Sequence, residues 1–436
     1  MHRTPAWARV GPPRAPAGPR RRLGRLLPAV LALALALGAC QPGSDSSTSS
    51  NGNDNTPKTL VLPQSSGNVT VLAPEPATVD FARLTVNIPE EAQSIGLTLV
   101  GSRTSYKFID HGQLLLPEAY ITGPDGNAPL AFAMIDQDGN GSEEPYAAVL
   151  YDVETVSVFF PNDGSNAPLP EGTYSFPIGA FDSTLTLIPD ELQPIVYYKV
   201  APTAQETLRL NIFVVSGVSS GITDAASAGN DPEILGAIGV LEHVFETQAR
   251  LNLAVTVRFI DDSRFLIIDT FDEQDLLLKS YPDPATSDAM NIFVVGQLAH
   301  LDLALQGDVV GFAAQITGPF NLHGTIMSGT LAEYQNDEDM EVPNPGTVLG
   351  YILAHEFGHF LGLYHTSQTD PATGKIAGHD PIDDTAECPN GTMDLPTCDD
   401  RFNLMFPFVN EDPTPPITDM QGTVIRLNPA VSEPAP

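Results

Sequence analysis

The sequence predicts a multidomain protein in which an N-terminal antiparallel β-sandwich is followed by a domain of α/β (α+β) type. Three observations favour this fold class. The chain has 436 residues, more than one typical domain needs. From residue 61 to residue 205, apolar and polar residues alternate with a period of two between turn-forming Gly, Pro, Asn and Asp residues. From residue 206 to residue 430, near-continuous apolar runs alternate with segments of helical periodicity.

Residues 1–40 have the composition of an export signal. Seven arginines and no acidic residue precede the apolar run LLPAVLALALALGA, which is short for a bilayer span. The run ends in LGAC, which resembles a bacterial lipobox, where the cysteine becomes the lipidated first residue of the processed protein. Gln41 then fits retention at the outer membrane. We expect an exported protein, lipid-anchored through Cys40 to the outer membrane or cell surface; an ordinary cleaved signal is the alternative.

The chain after this signal is polar at first and acidic throughout. Residues 41–60 are rich in Ser, Asn, Asp and Gly, which predicts a flexible tether. The formal net charge is −34, with 54 acidic and 20 basic residues, and the signal holds seven of the basic ones. Such a charge repels nucleic acid and anionic lipid headgroups, so we expect no nucleic-acid partner and membrane contact only through the N-terminal lipid.

Two more cysteines, Cys388 and Cys398, bracket the segment PNGTMDLPT. In an exported chain, two cysteines most simply form one disulfide that closes a small loop. Zinc ligation is the weaker alternative, because their spacing fits no CxxC pair.

The acidic segment DQDGNGSEE lies inside the predicted sandwich. Asp136, Asp138 and Asn140 offer oxygen ligands at alternate positions, as calcium loops do. The twelfth position of such a loop is Ala147 instead of a bidentate glutamate, which excludes an EF-hand. A hairpin turn is the favoured interpretation, and a Ca²⁺ site stays open.

Helix signals occur at three places after residue 206. Asp231 before Pro232 predicts one helix start, and a second helix is predicted to begin near Thr347. Thr418, with Gln421 three residues later, predicts a capping box that opens a C-terminal helix.

The second of these helices carries HEFGHFLGLYH, residues 355–365. His355 and His359 are four residues apart, so they lie on one helix face and can bind one ion together. Glu356 is next to the first of them, where it can reach a metal-activated water without ligating the metal. Gly362 can take the left-handed conformation that ends a helix, which allows His365 to return as a third ligand.

The motif matches the zinc-binding consensus of the metzincin metallopeptidases, and it resembles the pappalysin-like group in continuing as GLYHT. This clan has a methionine turn beneath the zinc, which NLMFP supplies with Met405. Two positions depart from the pattern. Ala386 replaces the proline of a DTP-like element, and Phe406 lies near the place where several metzincins have tyrosine. The resemblance implies Zn²⁺ on the three histidines, Glu356 as general base, and an extended substrate bound along an edge strand between residues 311 and 326.

The sequence therefore predicts a zinc metalloendopeptidase that hydrolyses peptide bonds of extracellular or periplasmic proteins. The alternative is a lipid-anchored surface binding protein or adhesin whose peptidase-like domain is inactive. Its partners are expected to be protein or peptide substrates, and the sequence does not define an oligomeric state.

Overall fold

Two sheets are built from the strands before residue 201, in the part of the chain that the computed structural model describes. One contains β1 (Lys58–Val61), β4 (Phe81–Ile88), β6 (Gln113–Leu115), β9 (Gly172–Phe181) and β10 (Leu187–Ile188). The other contains β2 (Val69–Leu72), β3 (Ala77–Val79), β5 (Ala92–Gly101), β7 (Ala147–Val149), β8 (Thr155–Phe160) and β11 (Asp190–Val200).

The described residues are 58–61, 69–72, 77–79, 81–101, 113–115, 147–149, 155–164, 168–181, 187–188, 190–200, 206–281, 289–299, 310–313, 330–333, 346–369, 374–392, 397–408 and 414–431. All of them belong to one compact unit, residues 53–436. The predicted export signal, Cys40 and the loop with Asp136, Asp138 and Asn140 lie outside the described residues. No helix among the described residues is long and apolar enough to cross a bilayer.

The antiparallel prediction holds for these strand pairs with one exception. β1 pairs with β4 in parallel, with Lys58 opposite Leu84. The chain visits the other sheet between these two strands, because β2 and β3 both pair with β11. This crossover lets β1 and β4 run in the same direction. β1 also begins within the last three residues of the segment predicted as a tether.

A third sheet has the order β13-β12-β14-β16-β15. Its strands are β12 (Thr207–Val215), β13 (Asn252–Ile260), β14 (Met290–Val295), β15 (Gly311–Ala313) and β16 (Thr330–Glu333). The first four strands in this order run parallel, and β15 lies antiparallel at the edge. A small sheet of β17 (Ser367–Thr369) and β18 (Ile376–His379) follows. The protein is thus of mixed α/β type with several small sheets.

Five α-helices accompany these strands in the described residues: α1 (Ala225–Ala228), α2 (Pro232–Leu241), α3 (Phe271–Ser280), α4 (Thr347–Phe360) and α5 (Asp419–Leu427). The predicted caps are confirmed. Asp231 accepts hydrogen bonds from two backbone N–H groups of α2, and Thr418 and Gln421 form the capping box of α5. After α2 the helix continues as a π-helix, Glu242–Gln248, so the helix that starts at Pro232 changes its hydrogen-bonding pattern there.

Strands of the second sheet contact the C-terminal residues of the chain. Lys199 at the end of β11 is fully buried; its Nζ lies 2.7 Å from Glu206 Oε1 and donates to Val431 O at 2.8 Å. The same ammonium also donates to the carbonyl oxygens of Arg426 and Asn428. These are carbonyls at the end of α5, which have no partner within the helix. The strands before residue 201 are therefore joined to α5 by buried polar contacts.

Candidate metal centre

α4 is positioned by close contact with α2. The backbone N–H of Gly346, which precedes α4, donates to Glu233 Oε2 at 2.5 Å. A Cβ added to Gly350 would lie 2.8 Å from the Cα of Ala237, so the two helices touch backbone to backbone at this point. α4 begins at Thr347, as the sequence predicts, and nearly all of its residues are buried.

A bend after α4 reverses the chain. Gly362 has φ of +103°, the left-handed region that favours glycine. Its N–H donates to His359 O, and Leu363 N–H donates to Gly358 O, each at 2.9 Å. The sequence-based expectation of a glycine-dependent turn is confirmed. The chain then returns toward α4 with His365.

The three histidines of the motif converge. His355 Nε2 lies 3.2 Å from His365 Nε2, and His359 Nε2 lies 3.1 Å from the same atom. They form a group that can hold one metal ion. Their ring planes differ, with 89° between His355 and His359. The rings therefore approach one point from different directions.

The opposite nitrogen of each ring faces an oxygen atom. His355 Nδ1 lies 2.7 Å from Leu404 O. His359 Nδ1 lies 2.9 Å from Leu363 O, and His365 Nδ1 lies 2.8 Å from Gln368 Oε1. A carbonyl oxygen only accepts, so each Nδ1 carries the proton and each Nε2 presents a lone pair. Burial lowers the pKa of His355 to about 3 and that of His365 to about 4, with His365 adding to the effect on His355. All three imidazoles are neutral at pH 7, the form that binds metal.

This arrangement fits zinc. Three lone pairs at 3.1–3.2 Å repel one another unless a cation lies between them. A tetrahedral zinc ion with Zn–N bonds of 2.0–2.1 Å places its nitrogen ligands about 3.3 Å apart. Three neutral imidazoles with an open fourth position are also a donor set that catalytic zinc sites use. The oxygen partners of the Nδ1 atoms fix the rings in this orientation.

Glu356 lies on the side of α4 that faces β15. A Cβ added to Gly311 would be 2.5 Å from Glu356 Oε1, so the carboxyl group rests against the backbone of this edge strand. Burial raises the pKa of Glu356 to about 8, and a hydrogen bond from the backbone N–H of Ala313 opposes that rise. A carboxyl group that titrates near neutral pH is suited to both accept and release a proton.

Met405 lies beneath the histidines. The side chain is fully buried, and its Sδ would be 2.6 Å from a Cβ on Gly358, between the first two ligand candidates. Its N–H donates to Asn403 Oδ1 at 2.8 Å, and its carbonyl accepts from Thr366 N–H at 3.0 Å. Phe406 is buried and packs in a cluster with Ile376 and the two cysteines. This aromatic residue therefore does not take the place of a cleft tyrosine.

The residues after His365 are held by Asp400. Its Oδ2 accepts from Thr366 Oγ1 at 2.7 Å and from Ser367 Oγ at 2.6 Å. Cys388 and Cys398 form the predicted disulfide, and Cys388 N–H donates to Ser367 Oγ. Asp400 and Gln368 were not predicted. Each is a single polar residue outside any spacing motif, and their roles follow only from the folded positions of their neighbours.

Comparison with known protein families gives a partial match to one family model. Residues 332–413 match the model of the peptidase M43 family, described as pregnancy-associated plasma protein-A. The predicted resemblance to the metzincin peptidases is confirmed over this segment. No curated protein matches the chain.

Similarity to solved structures is low. A chain in the "Structure of a chaperone-substrate complex" is 14% identical to this chain, with a TM-score of 0.24. The match covers 52% of this chain and 31% of that chain. A family two carbohydrate esterase from Clostridium thermocellum is 11% identical, with a TM-score of 0.14, 52% and 66% being covered. At such TM-scores neither structure supports a statement about this fold.

His379, in β18, does not belong to the group of metal-binding candidates. Its Nε2 lies 2.7 Å from Cys388 O, away from the triad. His323 lies outside the described residues, as does most of the segment expected to line the cleft. Gly311–Ala313 is the described part of that segment, and it contacts Glu356.

A buried carboxyl group follows His379. Asp380 is 7% exposed, and Thr385 Oγ1 donates to its Oδ1 at 2.6 Å. Burial raises the pKa of Asp380 to about 7; the hydrogen bond with Thr385 opposes this, and the nearby Asp384 and Glu387 add to it. The fold therefore favours the protonated form. The stabilisation that the protonated Asp380 gives the fold is complete below the pKa of an unfolded aspartate, about 4. It is lost as the pH rises through about 7.

We expect Asp380→Asn to remove this pH dependence, because the amide stays neutral. The midpoint of thermal unfolding, measured with chelator present, should exceed that of the parent at about pH 8 and match it near pH 4. Asp383→Asn, at an exposed aspartate of the same loop, is the control and should follow the parent. Parallel curves for Asp380→Asn and the parent would contradict the assignment.

Proposed function

We propose that the protein is a zinc-dependent endopeptidase that hydrolyses peptide bonds of extracellular or periplasmic proteins. One observation carries the proposal: the Nε2 atoms of His355, His359 and His365 meet with their lone pairs directed at one point. The family match over residues 332–413 supports the same conclusion and implies a protein or peptide substrate.

The three histidines would hold the zinc, and Glu356 would act as general base. A bound zinc ion polarises a carbonyl group and lowers the pKa of a water molecule to about 7. Glu356 accepts the proton of the attacking water and later releases it to the leaving amine. Burial, which raises the pKa of this carboxyl group, makes it a stronger base than an exposed glutamate. Met405 forms the apolar floor that keeps His355 and His359 in place.

The edge strand β15 supplies a place for the substrate. It pairs with β16 on one side and lies at the edge of the sheet. An extended peptide can add to such an edge by backbone hydrogen bonds, which would carry the scissile bond past Glu356.

The location and the domain organisation complete the proposal. The processed protein is anchored to the cell envelope by a lipid on Cys40, with residues 41–57 as tether, residues 58–205 as an accessory β-sandwich and residues 206–430 as the peptidase domain. The export signal and the lipobox resemblance support this arrangement. The disulfide between Cys388 and Cys398 agrees with an oxidising compartment.

Metal removal tests the proposal. The parent protein should contain stoichiometric zinc by mass spectrometry and cleave a denatured protein. Cleavage should stop with a zinc chelator and return on addition of zinc, because hydrolysis depends on the zinc that the three histidines would hold. His365→Ala should lose the zinc, while the control His379→Ala should keep it. Cleavage that continues after complete removal of metal would contradict the proposal, and so would a parent that binds no zinc.

A further inference from the structure

The bend that returns His365 is contacted by residues at and just beyond the end of β8, one of the strands before residue 201. Phe159, near the end of β8, is fully buried in the same apolar core as Phe360 and Leu363. Its Cδ1 would lie 2.6 Å from a Cβ on Gly362, so the ring covers the Cα of that glycine. The bend is therefore covered at Gly362 by a residue that is far away in sequence.

Asn162 adds a polar contact at the same place. Its side chain is almost completely buried, and Nδ2 donates to Gly362 O at 3.5 Å. The same side chain faces the phenol of Tyr364, whose pKa is raised by burial and lowered by Asn162. One amide thus lies against both ends of the tripeptide Gly362–Tyr364, which directly precedes His365.

The strand that carries these residues is itself fixed. Phe159 and Phe160 pair with Gly96 and Ile95 of β5. Ser94, which directly precedes Ile95 in β5, donates its hydroxyl to Leu427 O at the end of α5, at 2.5 Å. Further along the chain, Gly164 lies against Met420 of α5: a Cβ added to Gly164 would be 2.5 Å from the Cβ of Met420. Contacts on both sides of Phe159–Asn162 keep this segment from moving away from the bend.

A bend held in this way has a direct effect on metal binding. The imidazole of His365 must reach within 3.2 Å of the other two Nε2 atoms, and only the bend brings it there. A bend with freedom to open would have to be ordered at each binding event, which lowers the affinity. Groups that orient metal ligands through such contacts affect affinity without touching the metal.

We propose that Phe159 and Asn162 are positioning residues for the third zinc ligand, His365. Under this proposal, the N-terminal sheets hold the bend that carries this ligand. This inference rests on the proposed zinc site and assigns a role to the region predicted as an accessory sandwich. Under it, the region is a fixed wall of the peptidase and not a separate binding module.

The test compares full-length variants by their zinc affinity. Asn162→Ala should raise the zinc dissociation constant, measured by competition with a chromogenic chelator, by about tenfold. The unfolding midpoint of the zinc-free variant should stay close to that of the parent. KM for a peptide should not change, because the described contacts of Asn162 are with the bend and not with β15. Asn87→Ala is the matched control, because this asparagine pairs with Thr173 at the surface; its zinc affinity should equal that of the parent.

Phe159→Leu, which keeps an apolar side chain in the core, tests the same wall if Asn162→Ala misfolds, and it should weaken zinc binding in the same direction. Unchanged zinc affinity together with a lower unfolding midpoint would overturn the proposal, since the contacts would then be structural only. The outcome is separable from the proposed function. A parent that binds zinc but cleaves nothing contradicts the peptidase activity, while the comparison of dissociation constants still decides the positioning role.

Discussion

Glu356→Gln is expected to reduce peptide hydrolysis by about 10²–10⁴-fold while zinc remains bound. The glutamine has nearly the shape of the glutamate, so it still fits against Gly311 and can accept from Ala313 N–H. It cannot take a proton from water. The imidazoles are held by Leu404, Leu363 and Gln368, none of which contacts this carboxyl group in the described hydrogen bonds. Metal binding should therefore survive the loss of activity.

The measurement is kcat on a denatured protein or a quenched peptide, together with zinc content by mass spectrometry. Glu387→Gln is the control, because this exposed carboxyl group faces His379, which is not one of the three metal-binding candidates. A Glu356→Gln variant that cleaves at the parent's rate would show that another group moves the proton. A variant that loses both zinc and activity would show that this carboxyl group is needed for the site to form.

Lys199→Met is expected to lower the free energy of unfolding by about 3–5 kcal/mol. The ammonium and its partner Glu206 are both almost completely buried, at 2.7 Å. Removing the lysine leaves the buried carboxylate without its direct ion-pair partner. It also removes the donor to Val431 O and to the neighbouring carbonyls at the end of α5. An unpaired buried charge costs more than the ion pair contributes, which is why the effect is large.

Chemical denaturation of the zinc-loaded protein measures this change. The double variant Lys199→Met/Glu206→Gln should recover part of the loss, because it no longer buries a lone charge. Lys375→Met, at an exposed lysine, should have an effect within about 0.5 kcal/mol of zero. If Lys199→Met alone also stays within that range, the buried pair does not join the strands to α5 in solution.

The metal centre was predictable from the sequence because it is local. His355, His359 and Glu356 follow from helical spacing, and Gly362 supplies the positive φ that returns His365. The cap residues of α2 and α5 are equally local signals, and the structure confirms them. In each case the information lies within ten or so residues, where backbone geometry leaves few alternatives.

The contacts that the sequence did not reveal join distant parts of the chain. Lys199 looks like an ordinary strand-end lysine, and its ion pair and carbonyl acceptors exist only after α5 has packed against β11. Phe159 reads as one apolar residue in an alternating strand, yet it belongs to the core around α4. The parallel pairing of β1 with β4 was missed for the same reason, because alternation identifies a strand but not the direction of its neighbour.

The bonds of Lys199 also set an order for assembly. Its acceptor Val431 is 232 residues further along the chain. A ribosome releases the chain from its first residue onward, so the lysine precedes its last acceptor by more than half of the protein. The three histidines are made in between. Because Lys199 can bond to Val431 O only after that residue has been made, the strands before residue 201 can be joined to the end of α5 only near the end of synthesis.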